Sequence, residues 1–238
     1  MVTVVGDIRA AWSDRSHGDL RRRPVGGGAS RLDRFASQVS GGRAGPGRLR
    51  GLRQVHGAEV LIVGNVGDDG EDFPELAPEG DGLVSASPSL GLAVLTADCA
   101  SIALGSPEGV FGAVHAGWRG LLGGVVEAAA SAMRGLGATT VHGAVGPTIH
   151  PECYPFSEPD LAAVAARYGD GVRARASTGL PALDLPGTVL AAFHRAGIDP
   201  VPGVDTCTAC DGRYFSHRAG AAVDRQALVV WSTGGGNR

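Results

Sequence analysis

The stretch Leu90-Gly91-Leu92-Ala93-Val94-Leu95 is a short apolar run that leads directly into Thr96-Ala97-Asp98-Cys99. A continuous apolar run of this length is typical of a strand buried on both faces. A second apolar run, Val110–Val114, leads in the same way to His115, sixteen positions after Cys99. Because residues at strand ends can be brought together by the fold, we predict that the thiol and the imidazole share one site.

A third candidate lies upstream, where His56 follows Arg53-Gln54-Val55, 43 positions before Cys99. Two imidazoles and one thiolate can hold Zn²⁺, and a catalytic zinc keeps a fourth position open for water. The same donor types also suit Cu²⁺, so the residues alone leave the metal open. Such long gaps indicate a site assembled by tertiary structure, with His56, Cys99 and His115 as the predicted metal ligands.

The composition limits what kind of protein this chain forms. With 238 residues and 43% hydrophobic residues, it is long enough for one domain with a sizeable core. A net charge of −3, from 21 basic and 24 acidic residues, gives no electrostatic case for nucleic-acid binding. The sequence contains no apolar window long enough to span a membrane and no recognisable signal peptide. We therefore expect a cytoplasmic protein with thiol cysteines, and leave open whether it is a monomer or a dimer.

Strand-like and helix-like stretches alternate irregularly along the chain, which predicts one α+β domain spanning 1–238 with mixed sheets covered by helices. Strands are expected at 2–5, 8–12, 59–63, 82–84, 90–95, 102–104, 110–114, 140–145, 204–205 and 227–231. Helices are expected at 31–39 and 120–136. Two more are expected after capping residues, one from Ser157 to 168 and one from Asp184 to 197.

Several stretches indicate loops. Residues 13–50 form a loop-rich N-terminal segment, in which Gly26-Gly27-Gly28 lacks the Lys-Ser/Thr of a phosphate-binding loop. Residues 64–80 form an acidic loop, and residues 234–238 are expected to fray.

Polar residues beside the three predicted ligands are candidates for catalysis and substrate binding. Asp98 could orient a ligand imidazole or act as acid or base, and could equally cap a turn. Arg119 could hold phosphate or an oxyanion bidentately, or could stack on Trp118. Arg53 and Gln54 could contact a ligand beside His56.

Two later motifs could line the same pocket. Tyr154, with Cys153 before it, follows the turn at Gly146-Pro147, and Ser216-His217-Arg218 follows an aromatic pair. Cys207-Thr208-Ala209-Cys210 has CxxC spacing, but it has neither a second CxxC nor a thioredoxin-like context. The spacing allows a redox or a zinc function for this motif, but without that context we disfavour both.

Taken together and in this order, the motifs resemble a known family over about residues 50–232. The family is that of the bacterial laccase-domain proteins (multicopper polyphenol oxidoreductase-like), which includes zinc-dependent purine nucleoside phosphorylases and peptidoglycan editing factors. The motifs that carry the resemblance are Gln54-Val55-His56-Gly57, Thr96–Cys99, His115-Ala116-Gly117-Trp118-Arg119-Gly120, Gly146–Ile149, Cys153-Tyr154, Asp205–Thr208 and Phe215–Arg218.

The resemblance implies a layered α/β/β/α fold, with the family metal ligands at His56, Cys99 and His115. It also implies phosphorolysis of adenosine, inosine, guanosine or methylthioadenosine, together with deamination of adenosine. The implied partners are a purine nucleoside and phosphate. On this hypothesis zinc orients phosphate or water, Arg119 or Arg53 clamps the anion, and Asp98 handles the proton.

The chain also departs from the family pattern. Residues 16–40 lack the family's Gly-Gly-x-Ser turn, Ser101 replaces a proline after the cysteine, and Ala219 replaces a second arginine. One alternative is therefore a weakly active, cell-wall-related relative. A second alternative is a metal-independent Cys–His hydrolase or deamidase, with Cys99 as nucleophile and His115 as base. A copper phenol oxidase is disfavoured, because seven histidines do not easily supply several copper sites.

Overall fold

The computed structural model describes residues 1–21, 29–45, 47–64, 78–220 and 223–234. The strands are β1 (Val2–Val5), β2 (Ile8–Trp12), β3 (Leu49–Arg50), β4 (Val60–Ile62), β5 (Gly82–Ser85), β6 (Gly91–Thr96), β7 (Ala100–Gly105), β8 (Phe111–Ala116), β9 (Val141–Val145), β10 (Arg173–Arg175), β11 (Pro181–Leu183), β12 (Ile198–Pro200) and β13 (Gln226–Ser232). The helices are α1 (Arg31–Ser40), α2 (Trp118–Gly123), α3 (Val125–Gly135), α4 (Glu158–Tyr168), α5 (Leu185–Ala196) and α6 (His217–Gly220).

Most strands belong to two large mixed sheets. The first has five strands in the order β1-β2-β13-β6-β3, and the second has six in the order β12-β9-β7-β8-β5-β4. β6 pairs antiparallel with β13 and parallel with β3, while β4–β5 and β9–β12 are parallel pairs in the second sheet. The chain crosses from the first sheet to the second between β6 and β7, which places Ala97-Asp98-Cys99 at the junction.

Side-chain alternation along β13 shows how the layers are built. Leu228 and Val230 face the second sheet, whereas Ala227, Val229 and Trp231 pack on the side of α1. Successive residues of a strand point to opposite faces, so a strand covered on both sides is apolar throughout. The outer face of the second sheet packs against α2, α3 and α5, and α4 packs against α2 and α5. The predicted α/β/β/α arrangement of a single domain is confirmed.

The helix ends follow the predicted signals in two cases. Ser157 caps α4, its side chain accepting a hydrogen bond from the backbone of Asp160, and Asp184 caps α5 in the same way. α5 ends at Gly197 in the left-handed conformation, which glycine adopts at little cost. The strands predicted at 102–104 and 110–114 are also confirmed, as the antiparallel pair β7 and β8.

Two predictions were wrong. The single helix expected over 120–136 is two helices, because Gly124 adopts a φ of 86° and breaks the helix between α2 and α3. No strand forms at Val204-Asp205; a nearby strand is β12, which ends at Pro200. The Gly26–Gly28 loop, positions 65–77 of the acidic loop and residues 235–238 lie outside the described residues. None of the described helices has the length and apolar character needed to cross a membrane.

Candidate metal centre and adjoining cavity

The fold brings the three predicted ligands together. One donor atom from each of His56, Cys99 and His115 lies within 4.8 Å of the other two. The two imidazole rings meet edge to face with centroids 4.8 Å apart. His115 is buried on β8 opposite Ser101, Cys99 lies at the crossing between the sheets, and His56 lies in an exposed loop after β3.

Asp81, a residue that the sequence did not single out, organises two of these ligands. Asp81 immediately precedes β5 in the chain and is fully buried, and its Oδ1 lies 2.8 Å from Nδ1 of His115. Its oxygens also accept backbone N–H groups of Val55, His56 and Gly57 at 3.3, 3.0 and 2.6 Å. Burial opposes ionisation of Asp81, but these hydrogen bonds outweigh it and lower the pKa of the carboxyl group.

The thiol and the imidazole also perturb each other. Burial alone would raise the pKa of Cys99, but the charges and hydrogen bonds of His115 and His56 lower it to about 6. Burial alone would lower the pKa of His115, but Cys99 and Asp81 raise it to about 9. Without a metal the pair is therefore a thiolate and an imidazolium near neutral pH.

The donor set fits a divalent metal such as zinc. The carboxylate of Asp81 engages Nδ1 of His115 and leaves Nε2 for an ion, as is common for metal-bound histidines. Gly117 gives the donors room, since a Cβ there would lie 3.1 Å from Sγ of Cys99 and 3.1 Å from Cδ2 of His56. Gly120 is constrained too, because a Cβ there would lie 2.8 Å from the carbonyl oxygen of Gly57.

A cavity of about 510 Å³ opens beside the three donors, a size suited to a small organic ligand. Its remaining walls are formed by Arg21, Leu52, Gln54, Leu95, Thr96, Ala97, Asp98, Tyr154, His217, Arg218 and Arg225. Three arginines therefore line the same cavity as the candidate metal ligands, which favours an anionic group in the ligand.

The predicted substrate-binding residues divide into two groups. Gln54, Tyr154, His217 and Arg218 line the cavity. The amide of Gln54 is also bonded to both backbone groups of Leu95, at 2.6 and 2.8 Å, which fixes its orientation.

The other predicted candidates do not line the cavity. Arg53 is exposed and paired with Glu79, and Ser216 caps the first turn of α6 by accepting the N–H of Ala219 at 3.0 Å. Arg119 is exposed, with its guanidinium carbon 4.4 Å from the centroid of the Trp118 ring.

Asp98 lines the cavity and links three segments. Its Oδ1 accepts the hydroxyl of Thr208 at 2.6 Å, and its Oδ2 accepts the backbone N–H of Arg218 at 2.7 Å. Its carbonyl oxygen accepts from Thr148 and Ile149 at 2.7 and 2.9 Å. The carboxylate that contacts the imidazole of His115 is that of Asp81, while Asp98 holds Arg218 in the cavity wall.

Sequence reasoning missed Asp81, Arg21 and Arg225. Arg21 comes from the loop-rich N-terminal segment and pairs with Asp19 and Asp224 at 2.8 and 3.3 Å. Its position joins that segment to the cavity. The sequence gives no signal for Arg21, because an arginine in a Gly- and Arg-rich loop has no distinguishing spacing from other functional residues.

Comparison with known families identifies the chain. The family model described as multi-copper polyphenol oxidoreductase laccase matches residues 32–233. This protein belongs to that family. The resemblance drawn from the motifs is thereby confirmed.

Similar proteins carry a consistent name. A protein of Streptomyces griseus named purine nucleoside phosphorylase ORF3 is 37% identical over 96% of both chains. A purine nucleoside phosphorylase of Streptomyces coelicolor is 38% identical over 78% of this chain and 76% of that protein.

Solved structures share the fold. YlmD of Geobacillus stearothermophilus superposes with a TM-score of 0.75 at 25% identity, over 95% of this chain and 92% of the other. The YfiH protein of Bacillus licheniformis has a TM-score of 0.77 at 20% identity, over 94% and 92%, and shows likeness of fold alone.

Proposed function

We propose that this protein is a metal-dependent purine nucleoside phosphorylase acting on adenosine, inosine, guanosine and methylthioadenosine. The observation that carries the proposal is the cavity that joins the His56–Cys99–His115 donor set to a wall of three arginines. In the reaction a phosphate oxygen bonds to C1′ of the pentose while the bond from C1′ to the purine breaks. The products are pentose 1-phosphate and the free base, which takes up the proton that hydrogenphosphate loses.

Phosphate is held chiefly by Arg218. Its guanidinium donates to the carbonyl oxygen of Pro155 at 3.2 Å and lies 4.9 Å from the centroid of the Tyr154 ring. Among the ion pairs of the described residues, none compensates its charge. Arg21 lines the same cavity but shares its charge with Asp19 and Asp224, so it contributes less to anion binding.

The departing purine needs a hydrogen-bond donor. Burial raises the pKa of Tyr154 above its usual range, so the phenol stays protonated and donates a hydrogen bond to a purine nitrogen. Asp98 is the carboxylate among the residues that line the cavity, so we assign it the role of proton acceptor, and it also keeps Arg218 in place. In adenosine deamination Asp98 accepts a proton from water.

His56, Cys99 and His115 would hold the metal. When bound, the ion supplies a Lewis acid that polarises a phosphate or water oxygen. The protein's contribution is to hold the three donors with Asp81 and to seat the anion with Arg218. We propose zinc as the ion, with copper as the competing occupant.

The test is a nucleoside panel with metal-replete protein. Inosine with phosphate is expected to give hypoxanthine and ribose 1-phosphate, and His115→Ala should abolish both products. Adenosine without phosphate is expected to give inosine and ammonia. Neither product from any of the four nucleosides, with metal content confirmed, would refute the proposal.

A pair of variants distinguishes the anion seat from a surface arginine. Arg218→Gln is expected to raise the KM for phosphate at least about tenfold, since a charge-assisted hydrogen bond contributes about 1.5–3 kcal/mol. Arg119→Gln, whose side chain stacks on Trp118 outside the cavity, is expected to change that KM less than about twofold. A larger rise in the KM for phosphate in Arg119→Gln than in Arg218→Gln would show that Arg119, and not Arg218, binds phosphate.

A Cys–His hydrolase is the second candidate, because Asp81, His115 and Cys99 also form a hydrogen-bonded acid–imidazole–thiol series. In that enzyme the Cys99 thiolate is the nucleophile and needs no ion. Rapid alkylation of Cys99 in both metal-free and metal-loaded protein would favour it. Protection of Cys99 by metal would favour the phosphorylase.

A further inference from the structure

A second cluster of metal-type donors lies outside the candidate active cavity. One donor atom from each of Glu152, Cys153, Cys207 and Cys210 lies within 4.8 Å of the other three. Cys153 and Cys210 have sulfur atoms 3.0 Å apart, and Sγ of Cys210 lies 3.7 Å from a carboxylate oxygen of Glu152. All these cysteines are free thiols, and Cys207 is buried among them.

Backbone pairing holds the two turns that carry these donors against each other. Thr148 and Cys207 form a parallel bridge, with the N–H of Thr148 donating to Thr206 and that of Thr208 donating back to Thr148. The turn that carries Cys207 and Cys210 closes when the N–H of Asp211 donates to the carbonyl oxygen of Cys207 at 3.0 Å. The protein is therefore pre-organised to present both sulfurs on one side.

A backbone donor also points at one of the sulfurs. The N–H of His150 lies 3.4 Å from Sγ of Cys207. Such N–H groups stabilise the negative charge on a metal-bound thiolate and fix its orientation. The short single-turn helix Pro151–Cys153 follows immediately, which brings Cys153 and Glu152 to the same point.

We propose that Cys153, Cys207, Cys210 and Glu152 form a second, structural Zn²⁺ site. A tetrahedral zinc with bonds of about 2.3 Å to sulfur needs ligand sulfurs about 3.8 Å apart. The sulfur atoms of Cys153 and Cys210 are 3.0 Å apart, and all four donor atoms lie within 4.8 Å of one another, so the cluster is compact enough to surround one ion. Three thiolates and one carboxylate occupy all four positions, as structural zinc requires.

The position of the site gives it a consequence for the cavity. Tyr154, which lines the cavity, directly follows Cys153 in the chain. Thr208, which donates to Asp98 at 2.6 Å, lies between Cys207 and Cys210. An ion joining the two turns would therefore stabilise one wall of the cavity without contacting a substrate.

The experiment is elemental analysis of the full chain purified with zinc under reducing conditions. We expect about two zinc ions per chain in the wild type and about one in Cys210→Ser, in Cys153→Ser and in Cys99→Ser. The Cys99→Ser/Cys210→Ser double variant should hold about none. Zinc content does not depend on phosphorylase activity, so this experiment tests the second zinc site independently of the proposed function.

Cobalt substitution supplies a second readout. In the Cys99→Ser background, Co²⁺ should give the intense sulfur-to-cobalt charge-transfer band of a three-thiolate tetrahedral site, and Cys210→Ser should weaken it. Wild-type zinc content that Cys210→Ser and Cys153→Ser leave unchanged would overturn the proposal. So would a Cys153–Cys210 disulfide found by non-reducing peptide mapping in the freshly purified protein.

Discussion

Replacing Asp81 with asparagine tests the arrangement of the metal centre most directly. The carboxylate is fully buried and accepts the Nδ1–H of His115 at 2.8 Å and three backbone N–H groups of the His56 loop. Asparagine has the same shape, but its NH₂ group cannot accept a hydrogen bond. At least one buried donor is left without a partner, which costs about 1–3 kcal/mol.

Two magnitudes follow. Loss of a carboxylate behind a metal-bound histidine lowers metal affinity about 10–100-fold. In a chain of this size each kcal/mol shifts the Tm by about 2–4 °C, so Asp81→Asn should lower the Tm of metal-free protein by roughly 2–12 °C. The assays are competition for zinc against a chromogenic chelator, and thermal and urea unfolding of the metal-free protein.

Asp170→Asn is the matched control. Its carboxylate is 91% exposed and pairs with Nε of Arg173 at 3.0 Å on the surface. The free energy of unfolding should change by less than about 1 kcal/mol, and zinc affinity should stay the same. If Asp81→Asn binds zinc as tightly as the wild type and unfolds at the same urea concentration, then Asp81 does not orient His115 and the proposed centre is wrong.

Three further predictions concern the same region and its supporting helix. In metal-stripped protein, alkylation of Cys99 should be half-maximal near pH 6, because His115 and its neighbours lower the thiol pKa to about 6 and the thiolate persists above it. Peptide mapping after iodoacetamide treatment measures this, and a half-maximum near pH 9 would contradict it. Gly117→Ala should weaken zinc binding in the chelator assay, since the added methyl group would lie 3.1 Å from the sulfur of Cys99. Unchanged zinc affinity would show that the three donors tolerate the methyl group. Gly124→Ala should lower the free energy of unfolding by about 1–3 kcal/mol because its φ is 86°, whereas Gly135→Ala, with open space around the added Cβ, should not. Equal stability of the two variants in urea would refute the strain argument.

The fold was largely predictable because both sheets are covered on both sides. Strands such as β6 and β13 are then apolar at nearly every position, and such runs stand out between glycine-rich turns. The break at Gly124 was not predictable, since an isolated glycine inside an Ala- and Leu-rich stretch is also tolerated in a continuous helix. Short edge strands such as β12 carry too few residues for a periodic signal.

The site was predictable only where chemistry and motif coincide. Cys99 and His115 are metal-type donors at the ends of apolar runs, and His56 is a third donor of that type in a motif upstream, so their residue types indicated a shared site. Asp81 stands between two glycines in a polar stretch, with no feature that separates it from a turn aspartate. Its role follows from the pairing of β5 with β8, which brings its carboxylate against His115.

Backbone strain in the described chain is concentrated at this centre. The non-glycine residues with positive φ there are His56, at 59°, and Asp98, at 95°. A conformation of this kind costs about 1–3 kcal/mol and persists only where surrounding contacts impose it. The carboxylate of Asp81 holds the first loop through its backbone N–H groups, and Thr208 and Arg218 hold the second through Asp98. Folding therefore sets the positions of the donors before any ion arrives, and a bound ion in turn stabilises the strained loops by mass action.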